Sequence, residues 1–420
     1  MLDLRNIPLT DRTALFVIVV LLLFTTATGL FGLRHRQLVA RTLLTVLMAL
    51  LVTSAVWLTV EILWKPFPDA IPPGVYASAA AAVFAIGCIL SQRGRRITMT
   101  AMSVIALTGA AAAANTVYQQ YPTIGSFNPA PASVTMTYDQ FQVTTAAPRL
   151  DGREVGAMVT IPMTGTVSGF PARDAVAYIP PAYFTQPKLR LPVLLLLAGN
   201  PGEPKQWFGA GYAEHTADQY QAAHNGVSPI VISVDGTGSL SGNPICVDGP
   251  QLKVQTYLAN DVPALIKEKL RVNEDQRTWT IGGLSYGGTC ALQIVTNAPQ
   301  AYGNFLNFSG QAEPTLGNHK QTVDKFFGGD EAAFQAVNPA TLLKQNATQG
   351  TNKYVGIQGK FYAGSNDKNS TKDLTALNDA ANKSGMTTTF HTVPGGHSFQ
   401  VWRVALLETL GWAAQRGGLP

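Results

Sequence analysis

Gly283-Leu284-Ser285-Tyr286-Gly287 places a serine between two glycines, directly after an apolar run and before a helical pattern. A serine hydroxyl attacks a carbonyl only if a base takes its proton, and a tight strand-to-helix turn is one way to expose it. Six histidines are available as base. His35 lies between apolar runs of the N-terminal third, and His391 falls inside a strand-like run. His397, in Pro394-Gly-Gly-His-Ser-Phe399, follows the last such run and precedes the final helical pattern, where a loop can carry an imidazole back to the serine. An acid should orient that imidazole and stabilise its cation. Asp367 ends Gly364-Ser-Asn-Asp after a strand-like run and precedes His397, so the order serine, acid, histidine is kept. Asp373 and Asp379, on the helix that follows, and Glu313, upstream, are the other acids available. The developing oxyanion needs backbone N–H groups. Tyr286 supplies the one after the serine. In Ala198-Gly-Asn-Pro-Gly202, Pro201 has no N–H, so Asn200 is the second.

These residues need a frame. Short apolar runs at 175–179, 193–198, 230–234, 278–282, 354–363 and 390–393 alternate with helical patterns at 254–270, 289–297, 371–384 and 401–416. Continuous apolar strands separated by helices imply an α/β architecture, a mostly parallel sheet covered on both faces. Such sheets bind ligands beyond the carboxyl ends of their strands, where Asn200, Ser285, Asp367 and His397 all fall.

The N-terminal third has a different composition. Apolar stretches at 15–33, 43–60, 74–90 and 97–114 carry no internal charge, and each is about as long as a bilayer-crossing helix. They predict an all-α four-helix transmembrane region at 1–118, a Pro-rich linker at 119–136 and the α/β domain at 137–420. The net charge of +5 resides wholly in residues 1–133, with nine Lys or Arg against four acids, and the remainder is neutral. That distribution argues against a nucleic-acid face, which requires a basic patch on the folded domain. Arg34, Arg36 and Arg41 follow the first span, and Arg93, Arg95 and Arg96 precede the fourth. The positive-inside rule puts both loops in the cytoplasm, and hence both termini and the α/β domain outside it. No acid or histidine lies at mid-membrane depth, so an ion pathway has no support.

LLLLAGNPG, GGLSYGG and GHSFQVW together resemble the esterase-D branch of α/β-hydrolases, which includes formylglutathione hydrolases, feruloyl esterases and the actinobacterial mycolyltransferases of the antigen 85 group. The resemblance covers residues 150–420. With the four spans in front, the chain is most similar to membrane-anchored actinobacterial esterases. It implies an α/β-hydrolase fold and a triad of Ser285, Asp367 and His397. His397, Ser398, Phe399 and Trp402 match the mycolyltransferase pattern His-Ser-Trp-x-x-Trp, which makes Phe399 and Trp402 candidate substrate-binding residues. The mycolyltransferases carry a glutamate as triad acid and Asp-Gly-Leu-Arg in the oxyanion loop, where this chain has Asp367 and Ala198-Gly-Asn-Pro201.

Three functions follow. The first is a serine esterase anchored in the cell membrane, cleaving carboxyl esters of lipids or acylated cell-envelope components outside the cytoplasm. The second shares the acyl-enzyme but passes the acyl group to a sugar or lipid hydroxyl. The third is an inactive envelope scaffold, against which the intact set of residues argues. None of them calls for a metal or an organic cofactor. Cys246 and Cys290 both fall in the outer domain. An oxidising compartment allows them to pair, and simple packing of Cys290 in the core is the other reading.

Overall fold

In the computed structural model, which describes residues 4–66 and 69–419, the chain divides into two compact units, 1–129 and 130–420. Residues 1–3, 67–68 and 420, at the edges of the predicted regions and in the second interspan loop, lie outside the described residues.

In the first unit the four apolar stretches form α1 (Arg12–Leu30), α2 (Val39–Leu58), α3 (Pro73–Ser91) and α4 (Arg96–Tyr118). With their flanking turns all four are long and apolar enough to cross a membrane. Large side chains point outward, Phe16, Leu23 and Leu44 each being more than half exposed. Small residues face inward. A Cβ on Gly29 would sit 2.6 Å from the Phe84 ring, and one on Gly87 would sit 2.6 Å from the Thr45 side chain. Gln92 Nε2 donates to Gly29 O at 2.6 Å and joins the end of α3 to the end of α1. Close helix contact through small residues and an interhelical hydrogen bond is how helices associate in lipid, where hydrophobic burial gives them no drive to pack.

The stretch read as a linker is shared between the two units. Thr123 bridges Pro8, and Leu9 N–H donates to Pro122 O, so its first half packs with the helices. Its last residues open the sheet of the second unit as β1 (Val134–Thr137). Eight strands follow: β2 (Ala157–Ile161), β3 (Ala175–Ile179), β4 (Val193–Leu197), β5 (Ile230–Val234), β6 (Thr280–Leu284), β7 (Asn304–Phe308), β8 (Gln358–Gly364) and β9 (Thr387–Val393). Their order across the sheet is β1-β2-β3-β5-β4-β6-β7-β8-β9. Only β3 runs antiparallel to its neighbours. Strands β2 to β8 are largely buried, which explains their apolar runs. β6 lies two residues later than predicted, so it runs directly into Ser285.

The predicted reading lacks β1, β2 and β7. β7 reads Asn-Phe-Leu-Asn-Phe, and its polar residues hide the strand. Asn304 is nevertheless fully buried, because Arg277 O and Trp279 O accept from its amide and Arg416 Nε donates to its carbonyl. A buried amide is tolerated once its hydrogen bonds are filled, and those partners are distant in the chain.

Candidate active site

Three helices place the functional side chains: α5 (Tyr286–Asn297), α6 (Lys368–Lys383) and α7 (Phe399–Arg416). β6 ends at Leu284 and α5 begins at Tyr286, so the whole turn is Ser285. Its φ of 53° and ψ of −118° are a conformation that an L-residue adopts only under strain, at a cost of about 1–3 kcal/mol. The surroundings enforce it. A Cβ on Gly283 would sit 2.4 Å from the carbonyl carbon of Gly287, and a Cβ on Gly287 would sit 2.2 Å from Leu197 O at the end of β4. Ser285 N–H donates to Phe308 O, the last residue of β7, at 2.7 Å. Gly287→Ala is therefore expected to prevent stable folding of the second unit, read as loss of its cooperative thermal transition.

The first intrahelical bond of α5 runs from Thr289 N to Ser285 O, which leaves the Tyr286 N–H free of helical partners. The loop after β4 lies alongside, since a Cβ on Gly199 would meet the Leu284 side chain at 2.6 Å. Gln206 shapes that loop. Its Oε1 accepts from Gly199 N–H at 2.9 Å and its Nε2 donates to Pro201 O at 3.1 Å, around a cis Asn200–Pro201 peptide. Gly199 N–H is thus occupied, while Asn200 N–H has no partner among the described residues.

His397 stands on the loop between β9 and α7, and Asp367 on the loop between β8 and α6. The two loops are laced together: Ser365 N–H donates to Val393 O and Asn366 N–H to Gly395 O, each at 2.8 Å. His397 Nδ1 lies 2.7 Å from Asp367 Oδ2. The other carboxylate oxygen caps α6 by accepting from Ser370 N–H at 3.2 Å. Burial pushes the Asp367 carboxyl upward, but the hydrogen bonds from His397 and Ser370 outweigh it and hold the group below the usual carboxylate range. The other acids face elsewhere. Asp373 accepts from Ala312 N–H, Glu313 binds His319, and Asp379 is exposed. His391 is an exposed strand residue stacked on Tyr362.

The structure thus brings Ser285, Asp367 and His397 to the carboxyl ends of β6, β8 and β9, while no hydrogen bond joins the Ser285 hydroxyl to His397 among the described residues. In unliganded sites such contacts are commonly long and tighten with substrate. Phe399 and Trp402, expected to touch substrate, are buried, at 5% and 4% exposure. Trp402 meets the His397 ring edge-to-face at 5.1 Å and Phe399 at 4.9 Å. Their apolar rings pack into the core and support the imidazole.

Three further contacts support the site. The buried Tyr286 phenol donates to Gly236 O at 2.8 Å. Beside it, Cys246 and Cys290 form a disulfide between the loop after β5 and the first turns of α5. This decides the question of the two cysteines left open above. Closing a loop of 44 residues stabilises by about 4 kcal/mol in the chain-entropy estimate. Reduction is therefore expected to lower the thermal midpoint of the second unit, measured with and without a phosphine reductant. The third support is Arg173, whose Nε and one terminal nitrogen each lie 2.8 Å from the Asp235 carboxylate. The same nitrogen donates to Gly202 O and the Thr237 hydroxyl. Burial would raise the Asp235 carboxyl, yet the guanidinium holds it below the usual range. Arg173→Met leaves that carboxylate buried and uncompensated. It should cost about 3 kcal/mol in chemical denaturation and loosen the Gly199–Gln206 loop. Neither Gln206 nor Arg173 sits in a pattern that sequence reading recognises.

Comparison with known proteins adds lineage. The profile of a family described as "Putative esterase" matches residues 172–413, more than half of the chain. A curated relative, a protein of Corynebacterium glutamicum called only "uncharacterized", is 58% identical over 420 residues and covers 99% of both chains. Among solved structures, a ferulic acid esterase superposes with a TM-score of 0.53 at 18% identity, covering 62% of this chain and 99% of its own. At that identity it testifies to the α/β-hydrolase fold alone. An S-formylglutathione hydrolase from Agrobacterium tumefaciens aligns with a TM-score of 0.46 at 18% identity, over 58% of this chain and 89% of its own.

Proposed function

This chain belongs to the esterase family, and from that premise we propose that it is a membrane-anchored serine esterase acting on carboxyl esters of lipid or cell-envelope origin. One observation carries the mechanism: the 2.7 Å contact between His397 Nδ1 and Asp367 Oδ2, held at the same sheet edge as the strained Ser285 turn. Asp367 keeps the proton on Nδ1 and leaves Nε2 free as base. Ser285 Oγ attacks the ester carbonyl as His397 Nε2 takes its proton. The Tyr286 and Asn200 N–H groups hold the oxyanion, and preorganised donors of this kind are worth about 2.7–4 kcal/mol each. His397 then protonates the departing alcohol. A water, deprotonated by the same nitrogen, releases the acyl group as a carboxylic acid and restores Ser285.

Four membrane-length helices supply the anchor, and the arginine-rich loops 31–38 and 92–96 set its direction. Both termini and the catalytic unit then lie outside the cytoplasm. The disulfide supports this reading, because disulfides persist in oxidising compartments. A membrane-impermeant fluorophosphonate applied to intact cells tests activity and direction together. Labelling of wild type and none of Ser285→Ala is expected. Labelling that appears only after lysis would reverse the topology, and none in either preparation would remove the esterase assignment.

A further inference from the structure

The two oxyanion donors stand on different elements. Tyr286 N–H opens α5, and Asn200 N–H lies on the loop after β4. A developing oxyanion needs both at once, each held within about 0.5 Å of its working position. Among the described residues no hydrogen bond runs directly from residues 199–202 to α5. A third segment, the loop 235–246 after β5, is bonded to both. On one side it is fastened to α5 twice: the Tyr286 phenol donates to Gly236 O at 2.8 Å, and the disulfide joins Cys246 to Cys290. On the other side it holds Gly202, two residues after Asn200, because Gly202 N–H donates to Leu240 O at 2.8 Å.

One carboxylate and one guanidinium shape that loop. Asp235 Oδ1 accepts from Thr237 N–H at 3.0 Å and from Gly238 N–H at 3.1 Å, which folds the first turn of the loop back on itself. Thr237 Oγ1 donates to Ser239 O at 2.9 Å and carries the turn on to Leu240. Arg173 closes the frame. The terminal nitrogen that meets Asp235 and Thr237 also donates to Gly202 O at 3.1 Å, so both backbone groups of Gly202 are held. We infer that Arg173, Thr237 and the Tyr286 phenol are positioning residues for the reaction: the loop they brace sets the distance between the Tyr286 and Asn200 N–H groups. They act through those two donors and not on the substrate. A shift of about 1 Å in a catalytic group, imposed from a distance, can cost about 10²-fold in rate. The inference deepens the esterase reading and rests on it.

The test uses the full chain in detergent and three substitutions. Thr237→Val and Tyr286→Phe each remove one hydroxyl at nearly constant shape. Arg173→Lys keeps a cation beside Asp235 but lacks the fork that spans Asp235, Thr237 and Gly202. A cooperative thermal transition shows that each variant is folded. With p-nitrophenyl butyrate, kcat and kcat/KM should fall together by about tenfold, a fraction of the roughly 10²- to 10³-fold loss for a deleted oxyanion donor. KM should stay within about twofold, the pattern of an interaction made only in the transition state. Affinity for an alkyl trifluoromethyl ketone, whose adduct with Ser285 carries an oxyanion, should fall by the same factor. The double variant Thr237→Val, Tyr286→Phe should lose about as much as the weaker single variant, because either change already frees the loop. Folded variants with wild-type kcat would overturn the inference, as would a raised KM at unchanged kcat or undiminished ketone affinity. So would a double variant whose loss is the product of the single losses, which would mean two independent local effects. Full turnover by Ser285→Ala would remove the esterase reading itself. Turnover that depends on Ser285 but ignores all three substitutions would remove the bracing alone.

Discussion

Replacing Ser285 by alanine is expected to abolish ester turnover, with kcat falling about 10⁵- to 10⁶-fold, the scale seen when a serine nucleophile is removed. The effect should lie in kcat, because Ser285 bonds to the substrate only as the reaction proceeds. The variant should also be at least as stable as wild type: the turn at φ 53° is imposed by Gly283, Gly287 and the Ser285 N–H bond to Phe308 O, none of which involves the hydroxyl. Burst kinetics with a p-nitrophenyl ester, together with a thermal melt of the full chain in detergent, read both quantities. A variant that keeps more than a few per cent of activity would mean that another group is the nucleophile.

Asp367→Asn is the second. An amide in place of the carboxylate can offer the imidazole an N–H, which favours the tautomer with its proton on the wrong nitrogen. The expected loss is about 10⁴ in kcat, with little change in the affinity for a substrate-like inhibitor. The same substitution has a pH signature. Asp367 is held below the ordinary carboxylate range in the folded chain. A group lowered in this way contributes stability above its unfolded value of about 3.9, and that contribution is lost as pH falls through the lower folded value. The stability gap between wild type and Asp367→Asn should therefore be full at neutral pH and close on acidification below about pH 4. A gap that widened in acid would mean that the carboxylate is not the partner of His397.

Much of the site was legible because its chemistry leaves local marks. Ser285 stands in a glycine pattern that only a tight strand-to-helix turn requires. Asp367 and His397 each follow a strand in the order that the mechanism needs, and the structure joins them. The four apolar helices announced themselves by length and lack of charge. What stayed hidden was set by partners far away in sequence. β7 was masked by two asparagines, of which Asn304 finds its amide partners, at Arg277, Trp279 and Arg416, only in the folded sheet. Gln206 and Arg173 have no motif, since their value comes from the carbonyls and carboxylate that folding brings to them. Phe399 and Trp402 matched a pattern at the level of residue type, yet which face they present depends on how α7 docks, and it docks with both rings inward under His397.

The amino-acid sequence by itself determined the class of chemistry, the order of its participants and the division into an apolar helical part and an α/β part. These follow from residue type, spacing and periodicity, which are properties of short segments. Only the tertiary structure decided that Asp367 rather than Asp373 or Glu313 meets the imidazole, that Cys246 reaches Cys290, and that the apolar helices leave a cavity between α1, α2 and α3. Those outcomes are distances between groups that the chain separates, and they exist only after strand order and helix packing have been settled.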